Sequence, residues 1–93
     1  RDTVVSRYER PLDQVLNSAR EVLSRTGTLT GDDVVNNAVS AKINNRSVWV
    51  TVAEVEPLVT EVKVRVRSSR GTGDLAMAAE VDKQIAIGLV ISP

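Results

Sequence analysis

The chain has 93 residues, which is enough for one small domain with a modest core, and we predict a single domain over residues 1–93. Twelve basic and twelve acidic side chains give a net charge of zero, so nucleic acid is not favoured as a partner. The chain contains no His and no Cys, which excludes the usual zinc, haem and iron–sulfur ligands and a thiol nucleophile. We therefore expect no metal, no cofactor and no catalytic residue, because an enzyme would have to rely on carboxylates and Lys alone.

The first predicted elements are a short strand and an amphipathic helix. The strand lies in TVVSRYERP, and Pro11 suits the first position of the helix that follows, where its missing N–H costs nothing. Gly27 is a good terminator for this helix. The helix is predicted because apolar residues recur at the three-and-four spacing of one face, namely Leu12, Val15, Leu16, Ala19, Val22 and Leu23.

Three strands are predicted next. The segment TLTGDD reads as a turn, and VVNNAVSAKI (34–43) reads as the first of the three strands. Asn44-Asn45 is a good two-residue hairpin turn because Asn tolerates positive φ. The other two strands lie in SVWVTVAEV (47–55) and VTEVKVRVR (59–67), which alternate between valines and polar residues.

Burial of the valines determines the predicted pairing between the last two strands. A two-residue turn at Glu56-Pro57 would place Glu61 opposite Val52 and bury the glutamate. A three-residue loop over 56–58 instead pairs valine with valine, and we predict this register. It places Val48, Val50 and Val52 opposite Val66, Val64 and Val62, and on the other face Trp49 opposite Arg65, Thr51 opposite Lys63 and Ala53 opposite Glu61.

A second helix is predicted from Leu75 to about residue 90, with Asp74 as its N-cap. The tail IAIGLVI (85–91) is apolar on all sides, so a short buried strand is the alternative there. If it is helix, Ile87 and Ile91 need cover from the first helix or from a partner chain, which makes them candidate self-association residues. The predicted fold is an α+β two-layer sandwich of order β-α-β-β-β-α, a four-stranded antiparallel sheet with both helices on its valine face.

The outer face of the predicted sheet is the main candidate binding surface. A single aromatic side chain among several basic ones allows two interpretations, either a nucleic-acid-binding stripe or a solvated sheet face on which Arg65 shields Trp49. The second interpretation is favoured because the chain has only two aromatic residues and no net charge. The candidate residues are Lys42, Trp49, Thr51, Lys63, Arg65 and Arg67.

Other polar clusters are better explained by structural roles. Turn, capping or helix-surface positions account for the carboxylate pairs Asp32-Asp33, Glu54 with Glu56, and Glu80 with Asp82. RGTGD (70–74) could cradle an anion at a helix start, but it lacks both the dinucleotide-binding glycine pattern and the P-loop lysine.

The order of these segments resembles a family of small bacterial cell-envelope lipoproteins of unknown function. The resemblance rests on YERPLDQVLNSAREVLSRTG, on the hairpin VWVTVAEVEPLVTEVKVRV and on the Gly-Asp loop before the terminal helix, and it covers about residues 3–90. It implies export to the periplasm or outer envelope with a signal peptide removed. The start at Arg1 rather than Met has two explanations, processing of a longer precursor or a shortened sequence, and the sequence does not distinguish them. Membrane contact would then occur only through an N-terminal lipidated cysteine, which this chain lacks.

The expected function is a non-enzymatic binding or scaffolding role. The partner would be another envelope protein or a second copy of the chain, as a homodimer. The alternative is a nucleic-acid-binding module that uses the basic outer face of the sheet.

Overall fold

The computed structural model describes residues 2–91, which form one antiparallel sheet covered on one face by two helices. The elements are β1 (Thr3–Tyr8), α1 (Leu12–Thr26), β2 (Thr28–Asp33), β3 (Ala38–Ile43), β4 (Arg46–Glu56), β5 (Val59–Arg67) and α2 (Leu75–Ile91). Across the sheet, the strands lie in the order β1-β5-β4-β3-β2. The α+β class and the antiparallel sheet agree with the prediction from sequence, but the predicted count of four strands is wrong, because the sheet has five.

The additional strand is TLTGDD, which we predicted to be a turn. It pairs with β3 from Thr28 opposite Lys42 to Asp33 opposite Ala38, with a bulge at Thr30. The predicted strand over 34–43 begins only at Ala38, because residues 34–37 form the turn. The Asp33 carboxylate accepts hydrogen bonds from the backbone and side-chain N–H groups of Asn36, which fixes that turn. The two valines at 34 and 35 suggested a strand but lie exposed at the turn.

The predicted β4–β5 register is confirmed, although the chain reaches it by a different route. The structure pairs Glu56 with Val59, which leaves Pro57-Leu58 as a two-residue turn rather than a three-residue loop. The extra residue, Val55, forms a bulge in β4. Leu58 takes a φ of 62°, and its N–H donates to the Glu54 carboxylate at 3.2 Å. The bulge at Val55 therefore shifts the pairing by one residue and sets valine opposite valine, as the three-residue loop was expected to do.

Two other local predictions at turns are confirmed. Asn44 and Asn45 both take positive φ, 49° and 66°, in the turn between β3 and β4. Gly27 follows α1 as predicted, although its backbone is extended with a φ of −157° rather than left-handed. Glycine is needed here because a Cβ would collide with the carbonyl oxygen of Lys42 on β3. Pro11 is the N-cap, one position before the helix proper.

The two helices fill one side of the sheet with aliphatic side chains. α2 continues to Ile91, so residues 85–91 are helix and the buried-strand alternative is wrong. The predicted stripe of α1 is buried except for Leu12, which is half-buried. The core residues are Val15, Leu16, Ala19, Val22, Leu23, Val39, Ala41, Ile43, Val48, Val50, Val52, Val62, Val64, Val66, Ala78, Val81, Ile85 and Leu89, all 8% exposed or less.

The two helices are in close contact at Ser18 and Gly88. The Ser18 hydroxyl donates to the carbonyl oxygen of Ile85 at 2.9 Å. A Cβ on Gly88 would lie 2.5 Å from that hydroxyl oxygen and 3.7 Å from the Ser18 Cβ. The absence of a side chain at Gly88 is therefore what permits the contact.

We expect Gly88→Ala to destabilise the protein by about 1–2 kcal/mol, because the added methyl overpacks the site by more than the helix gains from losing a glycine. In a Ser18→Ala background the obstructing oxygen is gone, so the same substitution should be neutral or stabilising. Urea unfolding of the two single variants and the double variant measures the coupling free energy. Additive effects would contradict the close contact.

Candidate functional site

The candidate surface lies on the sheet face opposite the helices, which we call the open face. It carries the outward side chains of all five strands, and Trp49 on the central strand β4 lies at its middle. Trp49 is 39% exposed. The predicted cross-strand pairs of the open face, Trp49 with Arg65 and Thr51 with Lys63, are present, and Ser40 of β3 lies on the other side of Trp49.

Arg65 shields Trp49 as the sequence indicated. Its guanidinium carbon lies 5.0 Å from the centroid of the indole ring, within the range of a cation–π contact. Open depressions lie on both sides of this pair. One of about 320 Å³ is lined by Thr3, Thr51 and Lys63 together with the stacked pair. The other, of about 230 Å³, lies between Trp49 and β2.

Thr51 is the other central residue of the open face. It lines both depressions beside Trp49 and a third one of about 200 Å³ that reaches Asn36 and Glu61. Small side chains flank it on two sides, since Ala38 lies opposite on β3 and Ala53 is the next outward residue of β4, while Lys63 lies opposite on β5. The middle of the open face therefore combines small residues with the indole of Trp49 and one basic side chain.

Asp2 neutralises part of the basic stripe, a role that was not predicted from the sequence. One carboxylate oxygen accepts hydrogen bonds from Arg65 at 3.0 Å and from Arg67 at 2.7 Å. The other accepts from the Thr3 hydroxyl at 2.9 Å. These hydrogen bonds, with Arg65 the strongest, lower the pKa of Asp2 from 3.8 to about 2. Asp2 is distant in sequence from both arginines, so only the β1–β5 pairing brings them together.

The remaining basic candidates are placed differently. Lys63 lies beside Thr51 and next to Val5 of β1, within the open face. Lys42 lies at its margin, opposite Ser47 on β4 and Thr28 on β2, and is not beside Trp49. The six candidates therefore do not form one even stripe: Trp49, Thr51, Lys63 and Arg65 are adjacent, while Arg67 and Lys42 lie at the margin.

The carboxylates of the pair Asp32-Asp33 have structural partners, and so does the carboxylate of Asp74. Arg20 binds Asp32 through two hydrogen bonds of 2.8 and 3.1 Å, which lowers the pKa of Asp32. Asn36 binds Asp33 and lowers its pKa as well. Asp74 is the predicted N-cap of α2: it accepts the N–H of Met77 at 3.0 Å, which lowers its pKa, and it also binds Arg46.

Three backbone N–H groups of the RGTGD loop (70–74) donate hydrogen bonds to Ser68, just before the loop. The backbone N–H groups of Arg70 and Thr72 point to the Ser68 hydroxyl at 3.3 Å, and that of Gly71 donates to the Ser68 carbonyl oxygen at 2.9 Å. Arg67 donates to the carbonyl oxygen of Gly71 at 2.8 Å. These bonds leave the loop arranged as a turn rather than as an anion cradle.

A polar cluster joins β1 to α2 on the inner face. Asp82 accepts a hydrogen bond from the Ser6 hydroxyl at 2.6 Å and one from the Tyr8 hydroxyl at 2.9 Å. Burial, followed by the Asp82 carboxylate, raises the pKa of Tyr8 to about 12. Asp82 is thus an anchor for the edge strand, a role that its helix-surface position in the sequence did not reveal.

The candidate self-association residues lie near the C-terminal end of α2. Ile87 is 41% exposed and Ile91 is 75% exposed, so the first helix does not cover them fully. Val90 in the same turn is also exposed. No helix within residues 2–91 is long and apolar enough to cross a membrane. These residues also contain no group of three or more acidic side chains arranged to hold a metal ion.

We expect Arg65→Ala to expose the indole of Trp49, because the stacked guanidinium is removed. The cation–π contact contributes about 0.5–1 kcal/mol at an exposed site, and the exposed ion pair of Arg65 with Asp2, which is lost as well, contributes a similar amount, so the free energy of unfolding should fall by about 1–2 kcal/mol. Since Trp49 is the single Trp in the chain, its fluorescence reports the change directly as a red shift and stronger acrylamide quenching. Lys63→Ala, on the same strand but facing Thr51, is the control and should leave the spectrum unchanged. Identical spectra for the two variants would contradict the contact.

The hydrogen bonds of the Asp2 carboxylate should make part of the free energy of unfolding depend on pH in the acid range. Because its pKa is about 2 in the folded chain and 3.8 ordinarily, this contribution is fully present above about pH 4 and is lost as the pH falls toward 2. Between pH 4 and 2, the urea midpoint of the unchanged protein should therefore fall more steeply than that of Asp2→Asn. The double variant Arg65→Ala/Arg67→Ala should show the same reduced steepness. Equal slopes in all three proteins would contradict the hydrogen bonds of Asp2 with Arg65 and Arg67.

Comparison with known proteins bears on the fold. A scan against protein-family models finds no match, and a search of curated proteins finds no significant one. Among solved structures, the chain is similar to the di-domain ARO/CYC (aromatase/cyclase) protein StfQ from the steffimycin biosynthetic pathway, with a TM-score of 0.53 and 10% sequence identity. The likeness covers 94% of this chain and 42% of that one, so the chain spans less than half the length of StfQ. At this identity the likeness shows an α+β fold that also occurs in an enzyme, while the expectations of a non-enzyme and of an envelope lipoprotein stay predictions.

Proposed function

We propose that the protein is an exported domain of the bacterial periplasm or outer envelope that binds or scaffolds another envelope protein through its open face. The observation that carries the proposal is the half-exposed Trp49 at the centre of the open face, which is stacked by Arg65 and has a depression on each side. Export rests on the resemblance of the sequence to envelope lipoproteins. The binding role rests on the open face.

The composition of the open face suits a protein partner. Trp and Arg are the residues that most often dominate the binding energy of protein interfaces, and here Trp49 and Arg65 lie in contact at the centre. The charged side chains Arg7 and Glu61 lie toward the edge strand and form an ion pair of 3.3 Å. An aromatic and Arg centre with a charged margin is the usual arrangement of such a surface. The open depressions offer places for partner side chains rather than an enclosed site for a small molecule.

A non-enzymatic role agrees with the state of the acidic groups and with the core. The pKa values of Asp2, Asp32, Asp33 and Asp74 are all lowered, so these carboxyl groups are ionised near neutral pH and cannot donate a proton there. The aliphatic core occupies the space between the helices and the sheet, with an open depression of about 130 Å³ at its edge beside Val22, Ile43 and Val81. The lowered pKa values argue against these four carboxyl groups as general acids, which favours a binding role.

Nucleic-acid binding is the second candidate, favoured by the proximity of Trp49, Lys63 and Arg65. The Asp2 carboxylate argues against it, because it binds both Arg65 and Arg67 and so reduces the positive potential of the stripe. The zero net charge adds no long-range attraction.

A photocrosslinking experiment in the cells that make the protein tests the proposal. A benzoylphenylalanine replacing Thr51, at the centre of the open face, should yield one discrete adduct with a protein of the envelope fraction. The same residue replacing Glu21, which is exposed on α1, is the matched control. Adding Trp49→Ala and Arg65→Ala to the Thr51 variant should weaken the adduct at least several-fold, because the central contacts are lost. An adduct no stronger from position 51 than from position 21 would contradict the proposal.

The nucleic-acid candidate is tested with the purified protein. Titration with single-stranded DNA at low salt should leave Trp49 fluorescence unchanged if the open face binds protein. Quenching that disappears steeply with added salt and is lost in Arg65→Ala would favour the nucleic-acid candidate instead.

A further inference from the structure

We infer that β1 is a dimerisation edge: two copies of the chain pair their β1 strands antiparallel about a two-fold axis near Val5, so that the two sheets become continuous. The inference goes beyond the proposed function, because it concerns the sheet edge and the flank of α2 rather than the Trp49 neighbourhood. It also names a different surface from the C-terminal end of α2 at Ile87 and Ile91.

The free edge of β1 is defined by the direction of its backbone groups. The N–H of Val66 donates to the carbonyl oxygen of Asp2 at 3.1 Å, so the backbone groups of Asp2 point toward β5. Because these directions alternate along an antiparallel strand, the N–H and C=O groups of Thr3, Val5 and Arg7 point away from the sheet. Val5, the middle residue of the three, is 53% exposed. Among residues 2–91, nothing pairs with this side of β1, which thus presents a free ladder with an apolar side chain at its centre.

The opposite edge of the sheet is protected, whereas this one is not. β2 carries a bulge at Thr30, a glycine and two consecutive acidic residues, which are devices that prevent edge-to-edge pairing. β1 has the sequence TVVSRY and pairs with β5 in regular register over its six residues. Its one charged residue, Arg7, is held by Glu61 on the neighbouring strand. β1 is therefore the edge suited to pairing.

The inner face beside β1 is covered only in part. The inward valines of β5 are completely buried, whereas Val4, Ser6 and Tyr8 of β1 are only half-buried. Asp82 binds Ser6 and Tyr8, which places its side of α2 over β1. Residues at the same helical positions extend this side to Leu75, Ala79, Ala86 and Val90, of which Leu75, Ala79 and Val90 are exposed. A second copy would place its own α2 against this flank.

The arrangement is self-complementary. With the axis at Val5, each Val5 lies opposite its copy and each Thr3 lies opposite an Arg7, so no like charges are opposed. The three outward residues of each strand would form about six backbone hydrogen bonds. The zero net charge of the chain adds no repulsion between copies. Both open faces would then lie on the same side of one sheet, so a dimer would present two Trp49 surfaces to a bivalent partner.

A cysteine substitution tests the pairing directly, since the chain has no Cys of its own. Residues opposite each other in a bonded antiparallel pair have Cα atoms about 5.5 Å apart, within reach of a disulfide. We expect Val5→Cys to form a disulfide-linked dimer at least ten-fold faster than Ile87→Cys under mild oxidation. Faster crosslinking of Ile87→Cys would overturn the inference and support the C-terminal end of α2.

Light scattering supplies the second measurement and separates this inference from the proposed function. The unchanged protein should be a dimer at tens of micromolar. Ala79→Arg, exposed on the α2 flank, should make it a folded monomer, while Ile87→Asp should leave the dimer intact. A monomer in the unchanged protein at about 1 mM would also overturn the inference. The Thr51 crosslinking result does not depend on either outcome, because it reports on the open face.

Discussion

The structure depends on the direct pairing of valines across β4 and β5. Val66 donates its N–H to Asp2 and Val52 donates its N–H to Asn37, so the backbone groups of both point away from the β4–β5 interface. The valine pairs are therefore the close, non-hydrogen-bonded pairs of this ladder, in which side chains approach most nearly. Burial of one valine contributes about 1.5 kcal/mol or more, and a slip of one residue would turn the three valines of one strand to the solvent side, at a cost of about 4–5 kcal/mol. That cost exceeds the contribution of a typical cross-strand pair on the open face, which is about 0.2–1 kcal/mol.

The open face is a consequence of the same register. With the valines under the helices, the alternate positions of β4 and β5 must face outward, which sets Trp49 against Arg65 and Thr51 against Lys63. β1 then adds Asp2, whose carboxylate binds two arginines of the neighbouring strand. The result is an aromatic and Arg centre with reduced positive charge. That combination is more typical of a protein-binding surface than of a nucleic-acid-binding stripe.

How much of this is visible in the sequence depends on the range of the interactions. The β4–β5 register follows from strict alternation in two neighbouring segments, and both turn asparagines follow from local backbone preference, so these predictions succeed. The prediction of a turn at TLTGDD is wrong because an edge strand with a bulge has little apolar surface, and its glycine and aspartates have the composition of a turn. The exposed Val34 and Val35 misled the prediction in the opposite direction. Asp2 and Asp82 could not be assigned, because their partners lie 63 to 76 residues away in the chain.

Interstrand Hα–Hα contacts measured by NMR are the most direct test of the register on which the account rests. We expect strong cross-peaks between the non-hydrogen-bonded partners Val48 and Val66, Val50 and Val64, and Val52 and Val62. Cross-peaks of Val48 with Arg65 and of Val50 with Lys63 would instead show a register slipped by one residue. In that case the valines of one of the two strands would face away from the helices, and the pairing of Trp49 with Arg65 on the open face would not exist.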